Sequence, residues 1–185
     1  LNGLIQHYKD QGWVPRWIAP GGTNSMVGTS SDVIFADAMN KGISFDYEDA
    51  YRSATRNGAT VSSNLTNGGR TKLDSSIFLG YTPGTGDEFS WSIEGYINDY
   101  GIAQMAKLLA EKETDSGKKE QYNAEYQYYS NRARNYVKLF DGSGKPLSDK
   151  WFKGKSASGE WNTSHYTNGQ FDPYFWGANY TETNA

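Results

Sequence analysis

The side chains able to do acid–base chemistry in this sequence are almost all carboxylates. Only two histidines occur, His7 in a polar helix end and His165 in a loop, so a histidine-based triad has little support. There is no Gly-rich phosphate loop, no His-Glu-x-x-His and no Gly-x-Ser-x-Gly elbow. Glu182 follows a stretch rich in Trp and Tyr, the surface type that stacks on sugar rings, and sits at a predicted loop-to-helix junction. A carboxyl partly covered by aromatic rings has a raised pKa and can donate a proton to a leaving oxygen. The alternative is a first-turn glutamate that complements a helix dipole. Glycosidic-bond hydrolysis uses two such carboxyls.

Asp32 and Asp37 are five apart on one predicted helix and point in different directions, so they do not form a pair. Asp32 falls in the first turn, where a carboxylate complements the dipole. Glu94 and Asp99 lie on a helix that reads as buried on two sides, where carboxylates need partners and can anchor loops or line a pocket. Arg16, between Pro15 and Trp17, combines a fixed cation with aromatic planes. It can clamp a hydroxyl or a carboxylate, or simply stack on Trp.

The elements that must position these groups are mostly helices. Leu4 to Gln11 reads as a helix closed by Gly12. A Trp/Pro/Gly-rich loop runs from Trp13 to Thr29, and Ser31 to Lys41 is the next helix, with Ser30 or Ser31 as cap. Asp46 opens another, with Asp49 at capping-box spacing, fading at Asn57-Gly58. Thr60 to Gly69 reads as a polar loop. Ser90 is placed to cap a helix with two apolar sets, Ile93, Tyr96, Ile97 and Tyr100, then Ile102, Met105, Ala106 and Leu109. The stripe Tyr122, Tyr126, Tyr129, Ala133, Tyr136, Val137 and Phe140 predicts one amphipathic helix of about five turns. Asp115-Ser116-Gly117 joins the two as a turn. Lys150 to Lys155 and Glu160 to Ser164 are spaced to pair as a small β-hairpin, and Tyr166 to Asn179 is an aromatic loop. The fold class is therefore all-α. Helical hairpins with long aromatic loops suit part of an (α/α)6 toroid, with too few helices here to close the ring.

Composition narrows the partners. The aromatic share is 15%, with six Trp and fourteen Tyr, many in Gly/Ser/Asn-rich stretches. The formal net charge is -3 with no basic patch, which argues against nucleic acid. No run approaches the roughly 18 apolar residues of a membrane helix. Cysteine is absent, which excludes a disulfide scaffold and leaves the compartment open. Both ends of the sequence read as boundaries of a piece of a longer polypeptide.

Five blocks, in order, resemble the catalytic domain of glycoside hydrolase family 92. They are Gly12-Trp13-Val14-Pro15-Arg16-Trp17; Met26-Val27-Gly28-Thr29-Ser30-Ser31-Asp32 with Ala36-Asp37-Ala38; Ser92 to Ala103; Arg132 to Asp141; and Phe171-Asp172-Pro173 with Tyr180-Thr181-Glu182-Thr183-Asn184-Ala185. The resemblance covers residues 1–185, read as the N-terminal part of that domain, truncated at both ends. It implies a calcium-dependent, inverting exo-α-mannosidase that removes terminal mannose from glycans; an α-1,2 linkage is the expectation, with α-1,3, α-1,4 and mannosyl phosphate left open because variable loops set the linkage. It makes Glu182 the general acid and places Arg16, Trp17 and Asp32 in the blocks that line the sugar pocket. Ser30 stands where many members have histidine, and Thr183 replaces a glycine. The general base of the family lies in a Gly-Asn-x-Asp segment that does not occur in this chain, so the chain alone is expected to be inactive. Most calcium ligands are also expected outside it, and no metal ligand is assigned within it. The resemblance favours a bacterial protein that is secreted, cell-surface or periplasmic. Its expected partners are a mannose-containing glycan and the remainder of the polypeptide. The rival readings are a non-catalytic glycan-binding domain and another (α/α)6 glycosidase.

Overall fold

The structure, a computed structural model, describes residues 1–84, 88–142, 151–161, 166–167 and 170–171. Six α-helices lie among them: α1 Asn2–Gln11, α2 Ser31–Asn40, α3 Tyr47–Ala59, α4 Leu73–Leu79, α5 Glu88–Lys112 and α6 Ser116–Ala133, which runs on into a 3₁₀ helix, Arg134–Leu139. Three antiparallel strand pairs accompany them: β1 Trp17–Ile18 with β2 Gly22–Thr23, β3 Phe140–Asp141 with β4 Trp151–Phe152, and β5 Tyr166–Thr167 with β6 Gln170–Phe171. The chain is mostly helical, as expected. No helix of the described residues is long and apolar enough to cross a membrane.

Local signals set several boundaries. Gly12 adopts φ 79 and donates its N–H to Tyr8 O, ending α1. Asp46 caps α3 by accepting from Asp49 N at 3.1 Å. Asp115 caps α6 by accepting from Lys118 N at 2.8 Å, so the expected α5–α6 hairpin forms. Ser30 precedes α2 but makes no capping hydrogen bond. α5 starts at Glu88, which puts Ser90 inside the helix rather than at its cap.

The core forms where α5 meets α2, α3 and α6. Phe35, Met39, Tyr51, Ile102, Met105 and Tyr129 are buried together, with Ala50, Ala54, Ala103 and Ala106 between them. Each large side chain so buried contributes about 1.5–3 kcal/mol. Small residues set the helix spacing: a Cβ on Gly101 would lie 3.1 Å from Asp32 O of α2. Of the two apolar sets on α5, the second is buried throughout. In the first only Tyr96 is buried, while Ile97 and Tyr100 are about half exposed.

Three expectations need correction. The tyrosine stripe is not one α-helix. At Arg134 the chain tightens into a 3₁₀ helix, which turns about 120° per residue and leaves Tyr136 and Val137 exposed while Leu139 enters a second cluster with Tyr81, Phe89 and Tyr96. Phe140 then pairs with Phe152, so the Trp151–Phe152 part of the predicted hairpin joins the end of the helical region. At the predicted turn, Gly159 adopts φ 88 and Lys155 bridges Trp161 in antiparallel fashion, as that hairpin requires, while residues 162–164 lie outside the described residues. Finally, the predicted loop from Trp13 contains the β1–β2 hairpin.

Candidate functional site

The Trp13-Val14-Pro15 run is buried, and the chain then emerges at Arg16 and Trp17. Trp17, at the head of β1, is 51% exposed. Arg16 does stack on a tryptophan, but on Trp91 of α5, with its guanidinium carbon 4.7 Å from the ring centroid. Its Nη1 donates to Gly69 O at 3.0 Å, and Nη2 donates to Asn24 Oδ1. The Gly68-Gly69 backbone lies directly on the Trp13–Val14 segment. A Cβ on Gly68, whose φ is +143, would stand 2.7 Å from Val14 O, so only glycine fits there.

Directly after Gly69, Arg70 turns inward and is only 6% exposed. Its Nη1 donates to Asp99 Oδ1 at 2.6 Å and its Nη2 to Asp32 Oδ2 at 3.2 Å. Its Nε donates to Thr29 Oγ1 at 3.2 Å. The second oxygen of Asp99 is 3.0 Å from Arg132 Nε. Two aspartates and two arginines thus balance each other's charge inside the fold, the arrangement a buried ion requires. Burial alone would lower the pKa of Arg70; the charges of Asp99 and then Asp32 more than offset this and raise it.

Asp32 is fully enclosed. Thr29 Oγ1 and Asn57 Nδ2 bond its two oxygens at 2.7 and 2.8 Å, beside the Arg70 contact. Burial pushes its carboxyl up to about 6, against the pull of the Arg70 charge and the bonds from Thr29 and Asn57. The carboxylate is therefore still ionised at neutral pH. It answers to specific partners, beyond a first-turn dipole. Asp37, by contrast, is an exposed partner of Lys41 at 2.6 Å. Glu94 is half-buried beneath the loop before α2: a Cβ on Gly28 would come within 2.8 Å of its Oε2.

The structure therefore brings together Arg16 and Trp17 on the surface and Asp32 beneath them, linked through Arg70. Glu182 and His165 lie outside the described residues. A small cavity of about 30 Å³ touches Arg70, Trp91, Asp99 and Arg132, enough for one or two water molecules and too small for a sugar. A larger groove of about 710 Å³ lies between α5 and α6, lined by Ile97, Tyr100, Tyr126, Tyr136 and Phe152. It is larger than the cavity at Arg70, yet among the described residues no carboxylate lines it, so the chemistry favours the side of Arg16 and Arg70. Among the described residues no three His, Cys, Asp or Glu side chains gather as a metal would require, and Asp32 and Asp99 are already neutralised by arginines. These residues do not fit a calcium site.

Sequence reasoning did not pick out Arg70, Asn57, Trp91 or Arg132 as part of this arrangement. One local signal existed for the first. Gly68-Gly69 before Arg70 marks a close backbone approach in an otherwise polar loop.

The glycosyl hydrolase family 92 catalytic domain profile matches residues 1–185. The chain is similar to the solved family 92 inverting mannosidase BT2199 from Bacteroides thetaiotaomicron VPI-5482, with 25% identity and a TM-score of 0.76 over 98% of this chain and 22% of that one. It shares its fold with the family 92 alpha-mannosidase BT3965 from Bacteroides thetaiotaomicron, at 24% identity and a TM-score of 0.67, over 98% of this chain and 22% of that one. The chain thus spans about a fifth of the length of these two proteins. No protein of curated function matches it.

Proposed function

The chain belongs to glycosyl hydrolase family 92, and from that premise we propose that the complete polypeptide is an inverting exo-α-mannosidase, of α-1,2 type, acting on terminal mannose of glycans. The observation that carries this reading is the likeness, over 98% of the chain, to an inverting mannosidase of the same family. On this reading the α5–α6 hairpin is one of the helix pairs of an (α/α)6 toroid, and the protein is secreted, cell-surface or periplasmic in a bacterium.

Arg16 grips a sugar hydroxyl and Trp17 offers its exposed ring to a sugar face, the pairing of fixed donor and apolar plane that carbohydrate recognition uses. Asp32 contributes from beneath, by holding Arg70, rather than by touching the sugar. Glu182 protonates the leaving oxygen. Inversion requires a second carboxylate on the opposite face, about 6.5–9.5 Å away, to activate water. That base comes from elsewhere in the polypeptide, since no Gly-Asn-x-Asp occurs in these residues. Calcium dependence is part of the proposal, with the ligands supplied outside the described residues.

The test is a panel of aryl glycosides offered to the full-length polypeptide with and without a calcium chelator. Release from α-mannosides only, lost on chelation, supports the proposal. Turnover of glucosides would point to a different glycosidase, and mannose binding without turnover to a binding domain.

A further inference from the structure

Trp91, Gly95 and Asp99 follow one another at intervals of four along α5, so they share one face of that helix. That face does three things at once. Trp91 is the floor under the Arg16 guanidinium, at 4.7 Å. Gly95 O lies 3.4 Å from Arg70 Nη1, and Asp99 Oδ1 binds the same nitrogen at 2.6 Å. Arg70 in turn follows Gly69, the residue whose carbonyl accepts from Arg16 Nη1 at 3.0 Å. The Gly68 contact with Val14 removes the remaining slack, because the two backbones meet with no room for a side chain. A buried carboxylate on a long helix thus fixes a loop, and the loop holds the arginine. Asp32 assists at the longer distance of 3.2 Å from Arg70. Asp99 also holds Arg132 of α6 at 3.0 Å, which ties the whole arrangement to the α5–α6 packing.

We propose that Asp99, acting through Arg70 and the Gly69 carbonyl, is the positioning residue for Arg16. The inference rests on the reading above in which Arg16 grips the sugar. Asp99 itself touches no substrate. Its loss lets Arg16 wander from the place where it meets a hydroxyl, so binding weakens while the proton-transfer groups stay as they were.

The experiment is a double-mutant cycle in the full-length polypeptide, with KM and kcat measured on an aryl α-mannoside for Arg16→Ala, Asp99→Asn and the pair. Asp99→Asn is expected to raise KM about tenfold with kcat changed by less than about twofold. In the Arg16→Ala background the same change is expected to move KM by less than about twofold. Independent losses that simply add would overturn the proposal. Hydrogen exchange at the amides of Arg16 and Trp17 supplies a readout that needs no turnover. Exchange faster in Asp99→Asn, with the α5 amides unchanged, supports positioning even if the polypeptide proves not to be a mannosidase, and unchanged exchange there overturns it. Should Asp99→Asn not fold, Arg70→Lys, which keeps the charge and loses the planar fork, goes through the same cycle and exchange measurement with the same expected results.

Discussion

Arg70 Nη2 donates to Asp32 Oδ2 at 3.2 Å with both side chains closed to solvent, at 6% and 0% exposure. The pair joins α2 to the loop that precedes α4 and leaves a titratable group in the centre of the fold. Burial raises the Asp32 carboxyl from 3.8 to about 6. Folding therefore favours its protonated form. That contribution to stability is fully present below pH 3.8 and is lost as pH rises through about 6. Arg70 stays charged across this window. Unfolding free energy measured against pH is expected to fall more steeply between these values in the native sequence than in Asp32→Asn, by up to about 1.4 kcal/mol per pH unit. Parallel profiles would contradict the assignment.

Two glycines on α5 are expected to respond in opposite directions to alanine. At Gly101 an added methyl meets Asp32 O at 3.1 Å and Val33 Cα at 3.2 Å, atoms of the α2 backbone rather than the end of a flexible side chain, so α2 itself must shift to admit it. Gly101→Ala should cost about 1–3 kcal/mol. At Gly95 the nearest atom is Arg70 Nη1 at 3.9 Å, an ordinary contact. There the gain in helix propensity dominates, and Gly95→Ala should stabilise by about 0.5–1 kcal/mol. Urea unfolding of both variants checks the signs, and a Gly101→Ala protein as stable as the native one would refute the close α2–α5 approach.

Much of the helical frame was legible because its determinants are local. Gly12 and the caps at Asp46 and Asp115 act within four residues of themselves. α4 went unread because its seven residues are too few for a periodic signal. The change to a 3₁₀ helix at Arg134 was invisible for another reason: spacings of three and four suit both helix types until Leu139 finds its cluster. In the site, Arg16 was readable as a clamp beside tryptophan, but its floor is Trp91 from a distant helix. The Arg70 partners lie 38 and 29 residues away, and such pairings leave no mark in local pattern. Asp99 as a loop anchor was anticipated from the cost of burying a carboxylate.

The proposed role of Glu182 makes its loss depend on the leaving group. In the full-length polypeptide, Glu182→Gln is expected to slow hydrolysis of an alkyl α-mannoside by about 10²–10⁴-fold, because its leaving oxygen needs the proton. A dinitrophenyl α-mannoside, whose leaving group departs as an anion, should lose less than about tenfold. Equal losses on the two substrates would assign Glu182 to positioning instead.

The most direct measurement is the anomeric form of the first product. A full-length preparation is mixed with an aryl α-mannoside and followed by proton NMR within the first minutes, before mutarotation. The expected result is initial appearance of β-mannose, as displacement by water from the face opposite the leaving group requires. Initial α-mannose, or no mannose at all, would contradict it.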